Sequence, residues 1–195
     1  MMGAGNITEM AEVDSAGISF LLAAVCQELG IRSILTTEVI NWAASAVREF
    51  DLARRLVKHA IEHRVPAKHI GSQLVLLRDP QVREFGAGEL ATLAAGLTDP
   101  NFRIFVERGE IHVMNRDGYW RGTDPFELFD RFSTESPLDP GHAFYLGYEL
   151  AKALTALTLS KQYTQDQPLQ WGFLTRPEPS AHDRRRNAKP DETNK

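Results

Sequence analysis

The sequence predicts an α/β segment, a small α+β segment and a polar tail, and three observations carry that reading. Two short apolar runs, at residues 1–7 and 32–35, each lead toward a long stretch with helical spacing. From residue 67 that rhythm gives way to short strands punctuated by turn residues, with helices between them. After Thr175 the composition turns to Pro, Arg, Asp, Asn and Lys, which bury too little apolar area to offset the entropy of ordering. The predicted divisions are 1–66, 67–175 and a disordered tail over 176–195.

Met1-Met2-Gly3-Ala4-Gly5-Asn6-Ile7 reads as a buried strand opening into a glycine-loosened turn. The strand starts inside its own middle, which implies that the natural polypeptide extends upstream. Asp14 or Ser15 caps the next helix. Its expected apolar face is Ile18, Leu21, Leu22, Val25 and Leu29, and Gly30 is its left-handed stop. Ser33-Ile34-Leu35 forms the second strand and ends in Thr36-Thr37-Glu38, where the longest helix of this segment is expected to begin. Ile40, Ala43, Ala44, Val47, Phe50, Ala53, Val57, Ala60 and Ile61 recur at the spacing of one helical stripe, with Arg48, Arg55, Lys58 and Glu62 mostly opposite. Asp51 and Arg55 stand four apart as a supporting pair. Arg64-Val65-Pro66 ends the helix, because a residue before proline is pushed out of helical geometry. Helix-length crossovers imply parallel pairing, with Asn6 and Glu38 on one carboxyl edge.

In the second segment, residues 73–77 are a strand candidate and residues 88–97 a short helix. Residues 102–107 and 110–114 form a hairpin turned at Arg108-Gly109. Asn115-Arg116-Asp117-Gly118 makes a second turn into a third strand at Tyr119-Trp120-Arg121. A short helix follows at residues 125–132. Asp139-Pro140-Gly141 opens a long helix with Phe144, Leu146, Leu150, Leu154 and Leu157 on its expected buried side, and Trp171-Gly172-Phe173-Leu174 is expected to pack back on it.

With 43% hydrophobic and 25% charged residues and a formal net charge of −4, the 195-residue chain carries no basic footprint for nucleic acid. A single cysteine, Cys26, fits a reducing cytoplasm. No apolar run approaches the ~18 residues of a membrane helix. The first ten residues lack the basic start and apolar core of a signal peptide. His59 and His63 stand four apart on a helix without a convincing third ligand, so no metal is expected.

Gly5-Asn6-Ile7-Thr8-Glu9, Asp14-Ser15-Ala16-Gly17 and Leu35-Thr36-Thr37-Glu38-Val39-Ile40-Asn41-Trp42 together resemble the last two strand–helix units of the pterin-binding barrel family that includes dihydropteroate synthase. The similarity is closer to a dihydropteroate synthase-related branch of tetrahydromethanopterin-linked one-carbon metabolism that carries an appended C-terminal domain of unknown function. Asp124-Pro125-Phe126-Glu127-Leu128-Phe129, His142-Ala143-Phe144-Tyr145-Leu146-Gly147 and Gln165-Asp166-Gln167-Pro168-Leu169-Gln170-Trp171-Gly172 look like segments of that domain. The resemblance implies the end of a TIM-type barrel followed by the appended domain, with most of the barrel absent.

It also implies a site at the carboxyl ends of the strands. There Asn6 offers a donor and an acceptor to a reduced pterin, Glu38 binds a ring amino group or acts as a base, and Thr36 and Thr37 orient it. True synthases resemble this layout but place basic residues and a histidine where an anionic leaving group is held. This chain has Asn6, Thr8 and Glu9 at one end and Thr36, Thr37 and Glu38 at the other. Pterin binding is therefore better supported than condensation of a pterin diphosphate with an arylamine. Methyl transfer on a reduced pterin is an alternative, and this chain alone is not expected to turn over.

The plainer readings stand beside these. Asn6 serves equally as a left-handed turn residue, and Thr37 or Glu38 as a helix cap. A non-catalytic module that completes a partner's barrel or dimerises is the competing class, since two parallel strands cannot close a barrel. Either the missing part of the barrel or a second copy is then the expected partner.

Overall fold

The computed structural model describes residues 1–70 and 73–179, and the chain divides into two compact units. The first comprises Met1–Leu76 with Trp171–Leu174, and the second Leu77–Gln170 with the residues from Thr175.

In the first unit, β1 (Met2–Gly3) pairs in parallel with β2 (Ile34–Leu35), Met2 opposite Ile34 and Gly3 opposite Leu35. The pairing is extended at both ends by backbone bonds from Met2 N to Ser33 O (2.9 Å) and from Ala4 N to Leu35 O (2.7 Å). The parallel neighbours expected from the crossovers are present, but the first strand is shorter than expected. The chain turns into α1 (Gly5–Ala11) directly after it.

Between the strands runs α2 (Ser15–Glu28), and after β2 a single 3-10 turn at Asn41–Ala43 leads into α3 (Ala46–His63). The expected apolar face of α2 is corrected by the structure: Leu21, Val25 and Leu29 are exposed, whereas Ser15, Ala16, Ser19, Ala23 and Cys26 are buried. Apolar residues occur all round this helix, so hydrophobicity alone does not choose a face. The small side chains point inward because they let α3 approach closely enough for Phe50, Ala53 and Val57 to pack with Ala4, Ala23 and Leu74.

Helix α3 is strongly amphipathic and buries Phe50, Ala53 and Val57 as its spacing implies, whereas Val47 and Ile61 of the expected stripe are exposed and Ala46 is buried in addition. It starts at Ala46 rather than after Glu38. The β-branched pair Val39-Ile40 favours extended backbone, and Ile40 is held at φ −113° and ψ 156°. Asp51 pairs with Arg55 at 2.9 Å and with Arg54, and Arg64 closes the helix in left-handed geometry at φ 54°.

Residues 73–77 are not a ladder strand. Gln73 O instead accepts from Phe173 N at 2.9 Å, so the segment Trp171–Leu174 sits in the first unit rather than on the long helix of the second. The Arg48 guanidinium lies 4.4 Å from the centre of the Phe173 ring. Gly172 has φ +61°, and a Cβ there would strike the carbonyls of Gln73 and Leu74.

The second unit holds α4 (Glu89–Ala95), β3 (Arg103–Glu107), β4 (Glu110–Asn115), β5 (Gly118–Gly122), α5 (Pro125–Glu135) and α6 (Pro140–Leu159). The strands form one antiparallel sheet in the order β3-β4-β5. Arg108 and Gly109, both at positive φ, turn the first hairpin. Asn115 Oδ1 closes the second by accepting from Asp117 N (2.8 Å) and Gly118 N (3.1 Å). Asp124 and Asp139 cap α5 and α6, each with proline at the first helical position.

Phe102, Ile104, Ile111, Val113 and Trp120 meet Leu128 and Phe132 of α5 and Leu146 and Leu150 of α6. Phe102 and Phe132 lie with ring centres 4.9 Å apart. Phe144 and Leu154, expected on the buried side of α6, are exposed, while Glu149 and Lys152 are buried there. The predicted tail begins in the described residues with Glu178 in an ion pair with Lys152 at 3.0 Å, and its residues 180–195 lie outside them. Among the described residues, no helix is long and apolar enough to cross a membrane.

Gly172→Ala is expected to destabilise the first unit by more than about 1 kcal/mol, because alanine neither tolerates the left-handed backbone nor fits against the carbonyls of residues 73 and 74. Urea unfolding followed by Trp fluorescence reads this, and an unchanged midpoint would mean that residues 171–174 do not dock on Gln73 in solution.

Candidate functional site

The parallel pairing puts the loops that follow β1 and β2 on one edge, and specific bonds tie them together. Thr37 Oγ1 donates to Glu9 Oε1 at 2.5 Å. That approach depends on Gly5, since a Cβ there would lie 2.6 Å from Thr37 Oγ1 and 3.2 Å from Thr37 N. Trp42 Nε1 donates to Thr8 O at 2.9 Å, and Thr8 Oγ1 donates to Gly5 O at 2.8 Å, so the 3-10 turn is fastened to α1.

Of the residues singled out from sequence, Asn6 is exposed in the first turn of α1. Its backbone is right-handed helical, which removes the left-handed turn reading. Glu38 Oε1 accepts from Val47 N at 3.0 Å and thus serves the second residue of α3 from outside the helix. The Thr36 hydroxyl is buried and has no hydrogen-bond partner among the described residues. Such an orphan costs about 1–3 kcal/mol relative to a satisfied group. The edge therefore presents an amide, hydroxyls and carboxylates, but Asn6, Thr8, Glu9, Thr36, Thr37 and Glu38 include no cation to hold a phosphate.

A second polar centre escaped the sequence reading. Glu49, 3% exposed, accepts from Ser15 Oγ (2.6 Å), Ser19 Oγ (3.4 Å) and Ser45 Oγ (2.7 Å) without a cationic partner in that set. Ser15 and Ser19 lie four apart on the small face of α2, and that spacing was the signal available in the sequence.

In the second unit, Glu149 and Lys152 face inward from α6 at 2.8 Å. Glu149 Oε2 also accepts from Tyr163 Oη (2.8 Å) and Asp166 N (3.3 Å). Tyr145 Oη donates to Asp166 Oδ1 at 3.0 Å and accepts from Gln165 Nε2 at 2.8 Å. Burial first, and the neighbouring carboxylates after it, push the Tyr145 phenol up to about 12 and the Tyr163 phenol further. The stacked rings of His59 and His63, 4.0 Å apart, stand on α3, and no group of three or more metal-ligating side chains is present among the described residues.

The family comparison bears on this second unit. A family model called PterinBD-DUF4346 matches residues 96–166, so the chain is similar to a pterin-binding-related family over that range. The uncharacterized protein MJ0107 of Methanocaldococcus jannaschii is 29% identical over 184 aligned residues, which cover 84% of this chain. The chain spans only 35% of that relative's length. No solved structure matches the chain significantly. The strand-end residues Asn6, Thr36, Thr37 and Glu38 lie outside the matched range.

Two measurements follow. Glu49→Ala removes the carboxylate that accepts from three serine hydroxyls, and hydrogen bonds to a charged group contribute ~1.5–3 kcal/mol each without adding fully, so at least ~2 kcal/mol of stability should be lost. A urea midpoint within error of the parent would show that the hydroxyls do not hold this carboxylate. The second concerns alkaline pH. Tyr145 and Tyr163 have pKa values raised by folding, so their contribution is complete below the unfolded value near 10 and is lost as pH rises through about 12 for Tyr145. Burial raises the Tyr119 phenol as well, so absorbance at the phenolate band should show three of the four tyrosines ionising late or only with unfolding, and Tyr145→Phe should remove one of them.

Proposed function

We propose that this chain is the C-terminal part of a dihydropteroate synthase-related, pterin-binding protein of one-carbon metabolism, in which β1 and β2 are the last strands of a TIM-type barrel. The observation that carries the pterin reading is the PterinBD-DUF4346 match. The barrel reading is supported by the parallel β1–β2 pair, whose following loops carry Asn6 and Thr36–Glu38 on one edge. The buried, unpartnered Thr36 hydroxyl fits an edge whose remaining hydrogen-bond partners come from outside these two strand–helix units. The ligand is a reduced pterin, with tetrahydromethanopterin-type or folate-type chemistry as its context. The absence of a cation among the edge residues favours pterin binding, or methyl transfer on a reduced pterin, over displacement of diphosphate.

A second reading is a non-catalytic module that completes a partner chain's barrel or pairs with another copy. It is favoured by the apolar side chains left exposed at the short sheet, Met1 and Leu35.

The experiment uses a longer polypeptide that carries these residues in a closed barrel. Asn6→Ala should weaken pterin binding by about 1–3 kcal/mol through lost ring-edge hydrogen bonds, with no loss of melting temperature because alanine suits a helix. Glu38→Gln keeps an acceptor for Val47 N and should lower affinity only if the charge meets the ring. Unchanged affinity in both variants would leave these residues as architecture and favour the module. The chain alone should show no synthase turnover, since two strand ends cannot preorganise a site built from eight.

A further inference from the structure

We propose that a cavity of about 650 Å³ beside α6, wholly within the second unit, binds a planar heteroaromatic ring bearing the amino-amidine edge of a 2-aminopyrimidine. Its volume lies within the range of small-molecule sites. Its rings come from the first turns of α6: His142, Phe144, Tyr145 and Tyr148 all line it. Phe144, 77% exposed, presents an apolar ring surface for a flat ligand to cover, and Tyr148, four residues on and 41% exposed, lines the same cavity with the Lys152 ammonium 5.2 Å from its ring centre.

The polar groups decide which flat ligand fits. Lys152 has three donors, and Glu149 (2.8 Å), Glu178 (3.0 Å) and Gln167 O (3.0 Å) take all three, so its ammonium is committed. Glu149 is likewise filled by Lys152, Tyr163 and Asp166 N. What remains is acceptor capacity. Asp166 Oδ1 is held by the Tyr145 phenol, while Oδ2 has no protein donor among the described residues. Glu178 Oε1 is in the same state, with Oε2 on Lys152. Asp139 and Glu149 add further negative charge to the lining.

Among the described residues, an anion would meet carboxylates with no free cation. A ring presenting adjacent N–H and NH2 donors matches one carboxylate in the paired geometry that carboxylates favour, and offers its faces to the aromatic side chains. A quaternary ammonium would use the rings but leave the carboxylate acceptors unpaired. All the lining residues just named except Glu178 fall inside the matched range 96–166. The proposal stands apart from the strand-end reading, which concerns the first unit.

Fluorescence titration of the full chain with pterin itself, 2-amino-4-oxopteridine, tests this. Saturable binding is expected, at least tenfold weaker in Asp166→Asn and in Tyr148→Ala. Asparagine suits the left-handed backbone of residue 166 (φ +63°), so the first variant should fold, and far-UV circular dichroism checks it. Lumazine, in which an oxo group replaces the 2-amino group, should bind at least tenfold more weakly than pterin. Guanosine carries the same edge on a purine, and competition between it and pterin assigns the ring system. No binding, equal binding of pterin and lumazine, displacement of pterin by equimolar tetramethylammonium, or an undiminished Asp166→Asn would each overturn the proposal. Thr37→Val separates the two readings. It should leave this binding unchanged, and if it abolishes binding while Asp166→Asn does not, the ring sits at the strand ends.

Discussion

The close approach of α2 and α3 is the constraint on which the first unit depends. Two strands of two residues each contribute few backbone bonds, and such a sheet has little stability of its own. Ser15, Ser19, Ala23 and Cys26 keep one face of α2 narrow, and α3 sets Phe50, Ala53 and Val57 against the resulting core. The narrow face brings a cost, since close helices bring the Glu49 carboxylate out of water, and the three serine hydroxyls replace the hydrogen bonds it loses. With the helices fixed, Met2 and Ile34 are held in parallel register, and the loops after both strands emerge on one side.

The second unit solves a similar problem with charge. Helix α6 covers the sheet with Leu146, Leu150, Ala153 and Ala156, yet it also buries Glu149 and Lys152. Breaking such a pair leaves an uncompensated buried charge, so the partners at Tyr163, Asp166, Gln167 and Glu178 matter as much as the pair itself. The same network spends every donor of Lys152 and leaves carboxylate oxygens facing the cavity. The polarity of the cavity is therefore a by-product of how the helix satisfies its buried ions.

The two candidate sites draw on different physics. At the strand ends the groups are sparse, partly committed to holding the loops together, and drawn from a sheet too small to enclose a ligand. At α6 the rings lie on one helix and, with Asp166 and Glu178 from the segments after it, line a cavity. The similarity to a pterin-binding-related family falls on the second of these regions, whereas the resemblance in the motifs Gly5-Asn6 and Thr36-Thr37-Glu38 falls on the first.

Local chemistry was legible in the residues. The hairpin at Arg108-Gly109, the turn closed by Asn115, the Asp-Pro starts of α5 and α6, the end of α3 before Pro66 and the Asp51–Arg55 pair all follow from backbone preferences and short-range spacing. Parallel pairing of the first two strands followed from the length of the crossover. What periodicity could not decide was orientation where apolar residues surround a helix. Leu21, Val25 and Phe144 turned outward because packing distance and ion pairing, not hydrophobicity, chose the inner face. The same limit hid Glu49 and Glu149, most of whose partners lie on other elements. It also hid the place of Trp171–Leu174, held by the carbonyl of Gln73, a hundred residues earlier. A sequence records which groups can bond; only the tertiary structure brings distant groups within the 3 Å at which they do.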